Sequence, residues 1–369
     1  MMTTKSFRGR TTREESSVRR FRGKFVLVVC LVLLNISPPV HAQESLSDVV
    51  VLRSKRGSGR ITVPCIISDY TGRRITIRTR PEGRRQSFPA EDVISVKTPQ
   101  SRRHVQGLAA FTKQQFQEAQ THFEKALTLE NREWVRREIV ALLIRCAYQQ
   151  NDFSSACTRF MALIKSDSHT RHVNLLPLIW QNRDLKQELK SQARQWLNEK
   201  ETVPRLIGAS ILLFDRNWSN SAEITLVQLT RDSSRPFREL ARMQLWRKKL
   251  RSQRVNSYLL KDWHSQVDAL QESMRGGPYF LLGQAHRKLR ENERAAAAFL
   301  WLPTVYDTDP HLASEACLQA ADCLWAVGQK SEARTLYREV VVRFSKTAAA
   351  QEAKNQLKKL QSPTARSSH

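Results

Sequence analysis

The residues of this chain whose types could support chemistry are few and scattered. Asp167, His169 and His172 stand close enough together to ligate a divalent metal, and Cys157 with a distant histidine has the residue types of a nucleophilic pair. The stretch around Asp167 is polar and turn-like, which favours solvated loop residues. Cys157 lies in an amphipathic segment, which favours a packed thiol. The chain also contains no glycine-rich phosphate loop and no hydrolase or metalloprotease motif, so we expect a non-catalytic protein without a metal or cofactor.

Positive charge is the strongest chemical signal in the sequence. The net charge is +26, and because residues 1–42 hold eight basic and two acidic residues, residues 43–369 still carry +20. Such an excess attracts polyanions, for example an anionic envelope polymer or a membrane surface, although solvated helix faces would have the same composition. No nucleic-acid motif accompanies it, so no nucleic-acid partner is expected. The densest cluster, a candidate basic patch, comprises Arg235, Arg238, Arg242, Arg247, Lys248, Lys249, Arg251 and Arg254.

Residues 1–42 have the order of a secretory signal peptide. A basic stretch precedes an unbroken apolar run from Phe25 to Leu34, and Val40 to Ala42 supply a small-residue cleavage site. An apolar run of about ten residues is too short to span a bilayer comfortably. We therefore expect cleavage after Ala42, a periplasmic or extracellular protein, and no stable membrane span afterwards. An uncleaved anchor is the alternative.

Four stretches of the chain share one spacing of small, aromatic and aliphatic residues. A small residue is followed by Ala after 12 positions, by a ring after 4 more, and by a small or aliphatic residue after 3 more. The last two steps keep these side chains on one helix face. The pattern recurs after 37 or 38 residues within each neighbouring pair, which is the period of a helix–turn–helix repeat. The four instances are Gly107, Ala119, Phe123 and Ala126; Ile144, Ala156, Phe160 and Leu163; Gly283, Ala295, Phe299 and Leu302; and Ala321, Ala333, Tyr337 and Val340.

This pattern resembles the tetratricopeptide repeat (TPR) family, most clearly at Tyr279, Leu282, Gly283, Ala295 and Phe299. The chain departs from the family at Ile144 and Ala321, where the family prefers Gly. The resemblance covers residues 102–166 and 278–360 and implies stacked helical hairpins that bind a protein or peptide partner. Ordinary amphipathic hairpins are the alternative.

Two further expectations follow from the repeat pattern. Phe123 and Phe299 should be core rings, because each follows an Ala by four residues on the buried face. The TPR resemblance also implies a partner-binding concave face on the first helix of each repeat. Carried onto this chain, it assigns the residues Arg145, Tyr148, Gln284, Arg287 and Lys288 to that face.

Residues 46–99 differ from the rest of the chain. Short β-branched stretches at 48–52, 60–63, 74–78 and 92–96 predict strands, and Ser87 to Asp92 predicts a turn. Their rhythm resembles a small SH3-like or Sm-like barrel, and a β-meander packed on the first helical repeat is the alternative. Pro64 requires an edge position or a bulge if its strand continues past it.

The remaining organisation is helical, so the predicted fold is mainly α: an α-solenoid of TPR-like and HEAT-like hairpins behind a small β domain. Pro236 and the residues after it resemble a HEAT-type repeat, and a similar residue pattern begins 32 residues earlier at Pro204. The expected segments are a signal peptide at 1–42, a β domain at 46–99, a TPR pair at 101–170, a HEAT-like region at 171–275, a TPR pair with a capping helix at 276–360, and a disordered tail at 361–369.

The sequence favours two hypotheses of function over a third. The first is an exported, non-enzymatic scaffold for protein–protein interaction, since the stretch from Leu336 to Thr347 is similar to periplasmic TPR proteins of envelope assembly. The second is a protein that binds cell-wall glycan or a membrane through its basic surface. The third is the helical portion of a cell-wall enzyme. A disulfide between Cys146 and Cys157 stays open, although buried free thiols are favoured.

Overall fold

The structure is a computed structural model that describes residues 48–54, 59–79, 83–181, 183, 185–252 and 255–361. These residues belong to one compact unit that begins at Leu46. The predicted signal peptide, Arg254 and nearly all of the predicted tail lie outside the described residues.

The first described segment is a five-stranded antiparallel sheet with the order β4-β3-β2-β1-β5. Four strands follow one another as a meander, and β5 returns to the free side of β1. The sheet is open, with β4 and β5 as its edges, so a closed SH3-like or Sm-like barrel is not confirmed. The strands are β1 (Asp48–Arg53), β2 (Arg60–Tyr70), β3 (Arg74–Arg78), β4 (Arg85–Pro89) and β5 (Val93–Lys97).

Two details of the sheet correct or confirm the sequence analysis. The predicted turn from Ser87 to Asp92 is wrong in its first half, because Arg85–Pro89 pairs with β3 as a strand. Strand β2 continues past Pro64, and its first half pairs only with β1 while its second half pairs only with β3. Pro64 therefore has no neighbouring strand on one side, and a missing N–H on that side costs no hydrogen bond of the sheet.

The sheet shares one hydrophobic core with the first helices. Ile75 and Ile77 of β3 are fully buried together with Phe123 and Ile139 of the helical part. Polar contacts add to this docking: Arg137 forms an ion pair with Asp69, and the Gly72 N–H donates to the Asp167 carboxylate at 3.0 Å. This arrangement fits the predicted alternative, a meander on the first repeat, because the inner face of the sheet is buried against helices.

The rest of the described chain is mainly helical, with fourteen α-helices. They are α1 (Arg102–Thr112), α2 (Phe116–Leu129), α3 (Glu133–Gln149), α4 (Phe153–Ser166), α5 (Gln187–Leu197), α6 (Thr202–Leu212), α7 (Ser219–Leu229), α8 (Arg235–Arg251), α9 (Ser257–Asp268), α10 (Gly276–Lys288), α11 (Asn292–Val305), α12 (Pro310–Ala326), α13 (Lys330–Arg343) and α14 (Ala348–Gln361). One long connection lies between α4 and α5. Among the described residues, none of these helices combines the length and the apolar character needed to cross a membrane.

The four predicted repeat instances correspond to four helical hairpins: α1–α2, α3–α4, α10–α11 and α12–α13. In each hairpin the small or aliphatic first position lies on the first helix and the other three positions on the second. All the Ala and ring positions are buried, and Phe123 and Phe299 are fully inaccessible. The prediction that these two rings belong to the core is confirmed.

Glycine at the first position has a direct steric cause. A Cβ on Gly107 would lie 2.5 Å from Cε1 of Phe123, and a Cβ on Gly283 would lie 2.6 Å from Cδ1 of Phe299. Both distances are far below van der Waals contact, so each ring occupies the space that a larger residue would need.

The cysteines are free and buried among the described residues. Cys146 packs with the sheet and the first hairpin, whereas Cys157 packs with the later helices. Burial raises the pKa of the Cys146 thiol to about 12. The disulfide left open between these two cysteines is therefore not formed, since the two thiols face separate cores.

Candidate functional site

The candidate site is a cleft of about 970 Å³ among the described residues, referred to below as the basic cleft. It is lined by the ends of α6, α8 and α10, by the inner side of α12, by the first residues of α14 and by the segment that follows α4. Helix α3 packs against α12, and the Arg183 guanidinium bonds the Asp309 carboxylate at 3.0 Å. These contacts bring the first and second halves of the helical region to one site.

Positive charge dominates the walls of the basic cleft. Four cationic side chains in it have no carboxylate partner in the described part of the chain, namely Arg247, Arg251, Arg287 and Lys288. Glu315 is the one acidic side chain among the described lining residues, and it accepts a bond from Gln319 at 2.7 Å. Like charges gathered without counterions repel one another, so the cleft is electrostatically prepared for an anion.

Arg247 is the deepest of these cations. Only 8% of it is exposed, and burial lowers the pKa of its guanidinium to about 9. The shift has this direction because removing a cation from water disfavours its charged form when no opposite charge is near. The group still carries its charge at neutral pH.

An aromatic wall lies beside these cations. Trp180 and Phe214 are half-buried and Phe280 is fully buried along the same cleft. Arg247 and Arg251 both lie over the Phe214 ring, at 5.1 and 5.0 Å from its centroid. The Trp180 ring fits against Gly277, where a Cβ would lie 2.0 Å from Cε2. The cleft therefore combines donors for an anion with a surface for an apolar group.

The first turn of α14 also lines the basic cleft, through Thr347, Ala348 and Ala349. The Thr347 hydroxyl accepts the Ala350 N–H at 3.3 Å, so one of the first N–H groups of α14 is already satisfied. The N-terminus of the helix still carries the positive end of the helix dipole. This end adds to the attraction that the cationic side chains exert on an anion.

The structure brings together part of each residue set predicted from the sequence. Gln284, Arg287 and Lys288 follow one face of α10 into the basic cleft, where they meet Arg247 and Arg251 of α8. These two sets belonged to separate predictions, the repeat groove and the basic patch. The structure therefore joins them at one site.

The predicted basic patch is divided in the structure, because Arg247 and Arg251 line the basic cleft and its other described members do not. Arg238 and Arg242 pair with Glu239, and Lys248 pairs with Glu223. Arg235 bonds the Ala269 carbonyl at 3.4 Å, and Lys249 is exposed outside the cleft. Successive residues of a helix point in different directions, so a run of cations along α8 is divided among several environments.

The groove residues predicted in the first repeat pair are also separated from the cleft. Tyr148 is buried, and its hydroxyl donates to the Leu175 carbonyl at 3.2 Å, which corrects its placement on an open face. Arg145 is exposed but lines a different, smaller cavity of about 320 Å³ together with Glu138 and Arg171. The two repeat pairs therefore do not present one common set of groove side chains.

Sequence reasoning missed Trp180, Arg183 and the start of α14 as lining residues. Trp180 and Arg183 lie in the stretch between α4 and α5, which has no helical periodicity. Nothing in their local sequence indicates proximity to residues more than one hundred positions later. Phe214, just after the end of α6, was missed as well, and it is half-buried in the wall of the cleft.

Among the described residues, no group of three or more His, Cys, Asp or Glu side chains is arranged to hold a metal ion. The Asp167 carboxylate instead accepts N–H groups from Gly72 and His169, at 3.0 Å each. Comparisons of the chain with profiles of known protein families, with curated proteins and with solved structures found no match.

Proposed function

We propose that this protein is a non-catalytic helical-repeat scaffold that binds an acidic segment of a partner protein in the basic cleft. The observation that carries this proposal is the set of four cations in one cleft without carboxylate partners in the described chain. An acidic segment would supply the missing negative charge, and complementary charges of this kind contribute to specificity and orientation. The exported, envelope location remains part of the proposal and rests on residues 1–42.

A TPR-like repeat architecture is part of the same proposal. The four hairpins share their residue spacing, and each turn contains a left-handed residue seven positions after the first motif residue: Gln114, Asn151, Arg290 and Gly328. The turns also share a hydrogen bond, for example from the Gln115 N–H to the Ala110 carbonyl and from the Glu291 N–H to the His286 carbonyl, each at 3.0 Å. Repeated units of this kind are typical of scaffolds that hold other proteins.

The size of the basic cleft favours a short segment of the partner. Its volume of about 970 Å³ lies at the upper end of the range for small-ligand sites, roughly 300–1,000 Å³. A whole folded domain cannot enter such a space, whereas a few residues of an extended or terminal segment can.

The second candidate function is binding of an anionic envelope polymer, which the net charge of +20 on residues 43–369 favours. The two functions differ in their salt dependence. Binding to a polyanion releases many counterions and weakens steeply with salt, whereas a segment held partly by the aromatic wall loses less affinity.

The test is a double charge reversal, Arg287→Glu with Lys288→Glu, in an affinity capture from the envelope fraction of cells that make the protein. The matched control is Arg334→Glu with Arg338→Glu, because both residues are exposed on α13 and lie outside the cleft. We expect the cleft variant to lose its partner at least tenfold with an unchanged melting temperature, while the control variant retains it. Equal capture by both variants would contradict the proposal, and loss by both with a steep salt dependence would favour the polymer.

A further inference from the structure

Arg247 is held in place by a buried polar network of three segments. The Ile179 N–H donates to the Ser210 hydroxyl at 2.8 Å, and that hydroxyl donates to the Gln244 side-chain oxygen at 2.9 Å. The Nη1 group of Arg247 then donates to this same oxygen and to the Ser210 carbonyl, each at 2.8 Å. A guanidinium fixed on one side in this way has little rotational freedom left to lose on binding.

The other side of the Arg247 guanidinium, formed by Nε and Nη2, has no hydrogen-bond partner in the described part of the chain. Neither nitrogen is among the buried side-chain atoms that lack both a hydrogen-bond partner and access to solvent. The residue is 92% buried and forms part of the cleft wall. A buried cation with unsatisfied N–H donors costs free energy. A negatively charged acceptor that binds this edge would remove that cost.

The geometry points to a carboxylate of the bound partner segment as the ligand of the Nε–Nη2 edge of Arg247. This inference rests on the proposed function, since it names the group that the basic cleft recognises. The two N–H bonds of this edge are parallel and coplanar, which matches the two oxygens of one carboxylate in a bidentate pair.

The buried and the exposed cations of the cleft have different roles. Arg247 is buried, whereas Arg251, Arg287 and Lys288 are exposed. Trp180 is half-buried in the same cleft and offers a surface to an apolar neighbour of the carboxylate. We therefore assign orientation of the segment to Arg247 and general attraction of negative charge to the three exposed cations.

The experiment measures binding of four fluorescently labelled hexapeptides to the full chain by anisotropy. One pair alternates Gly with Glu and the other alternates Gly with Gln, and each pair is made with a free and with an amidated C-terminus. We expect at least one of the three peptides that have a carboxylate to bind at least tenfold more tightly than the amidated Gln peptide. Comparison of the amidated Glu peptide with the free Gln peptide shows whether a side chain or a chain terminus supplies the group.

The deciding variant is Arg247→Lys, which keeps the charge but removes the bidentate edge. We expect it to weaken the carboxylate peptides at least tenfold, whereas Lys249→Gln, on the same helix outside the cleft, changes them less than twofold. Equal binding of all four peptides to the parent chain, or no carboxylate-dependent binding at millimolar peptide, would overturn the inference without any variant. Competition by inorganic phosphate as effective as by the peptides would overturn it too.

The outcome for the proposed function is separate. If Arg247→Lys melts like the parent and captures the envelope partner normally while the Arg287 and Lys288 reversal does not, the scaffold proposal stands and the role of Arg247 falls. If neither variant changes capture, both fall.

Discussion

At the scale of single residues, the repeat pattern reflects a ring that packs directly against the Cα of a glycine. The Phe299 ring lies where the Cβ of a residue at position 283 would be, and the Phe123 ring does the same at position 107. Phe280 also meets Phe299 edge to face, with ring centroids 5.5 Å apart. The glycine and the ring therefore act as a pair, and neither can be changed independently of the other.

Phe299→Ala should lower the free energy of unfolding by about 3–5 kcal/mol, because a fully buried ring leaves a cavity when it is truncated. Gly283→Ala should also destabilise the parent chain, since its methyl group would overlap the ring. In the Phe299→Ala background the same methyl group enters vacated space, so we expect the penalty of Gly283→Ala to disappear. Urea unfolding of the two single variants and the double variant measures this coupling, and strictly additive effects would show that the contact is wrong.

At the scale of the elements, the four hairpins turn through equivalent left-handed residues. Three of them are not glycine: Gln114, Asn151 and Arg290 have φ of 59°, 57° and 63°. The left-handed region costs an L-residue roughly 1–2 kcal/mol, with Asn the best tolerated. Gly328, with φ of 88°, occupies the fourth turn without this strain. The shared turn is therefore retained in the first three hairpins against a local cost.

Arg290→Gly should raise the free energy of unfolding by about 0.5–1 kcal/mol. The gain is the relieved strain of the left-handed residue, reduced by the larger backbone entropy of glycine in the unfolded chain. The control is Arg334→Gly inside α13, which should lower stability by about 1 kcal/mol because glycine disfavours a helix interior. Thermal and urea unfolding compare the two, and a loss of stability at position 290 would contradict the strain argument.

At the scale of the whole molecule, three wholly or partly buried histidines resist protonation. Burial lowers the pKa of His104, His264 and His311. For His264 the neighbouring His286 and Arg294 act in the same direction, while Asp268 and Glu291 oppose them. Its Nε2 lies 2.8 Å from Nε2 of His286, whose Nδ1 bonds Glu291 at 2.7 Å. One of the two facing nitrogens must donate and the other accept, because protons on both would set two N–H groups against each other.

Stability should therefore fall as the pH drops below about 6.5, the ordinary histidine pKa. These histidines bind protons more readily in the unfolded chain than in the folded protein. Their contribution to the free energy of unfolding is therefore fully present above that pH and is lost as the pH falls below it. Carboxylates contribute at lower pH: burial alone would raise the pKa of Glu138, but His172 and Arg171 lower it to about 2, so its stabilisation is lost only below about pH 4.5.

The measurement is the melting temperature between pH 7 and pH 5. His104→Leu should flatten this dependence, because Nδ1 of His104 is buried without a hydrogen-bond partner and its ring packs against Phe123. A parent melting temperature that does not change over this range would contradict the buried histidine states.

The sequence by itself determined that the chain after residue 100 is mainly helical and that the rings of Phe123 and Phe299 are buried. These features depend on short-range periodicity: the step from Ala295 to Phe299 places both on one helix face whatever the rest of the chain does. The strand stretches before residue 100 were found for the same reason, although β4 was missed because Ser87 to Pro89 contains turn-forming residues.

Only the tertiary structure decided how these elements meet. It left the sheet open instead of closing it into a barrel, because β1 and not β4 pairs with β5. It buried Tyr148, separated Arg145 from the other groove residues, and divided the run of cations on α8 between ion pairs and the basic cleft. The cleft joins residues from Asn151 to Ala349. Contacts over such distances depend on which faces of the helices are buried against each other, and periodicity along the chain carries no information about the partner of a face.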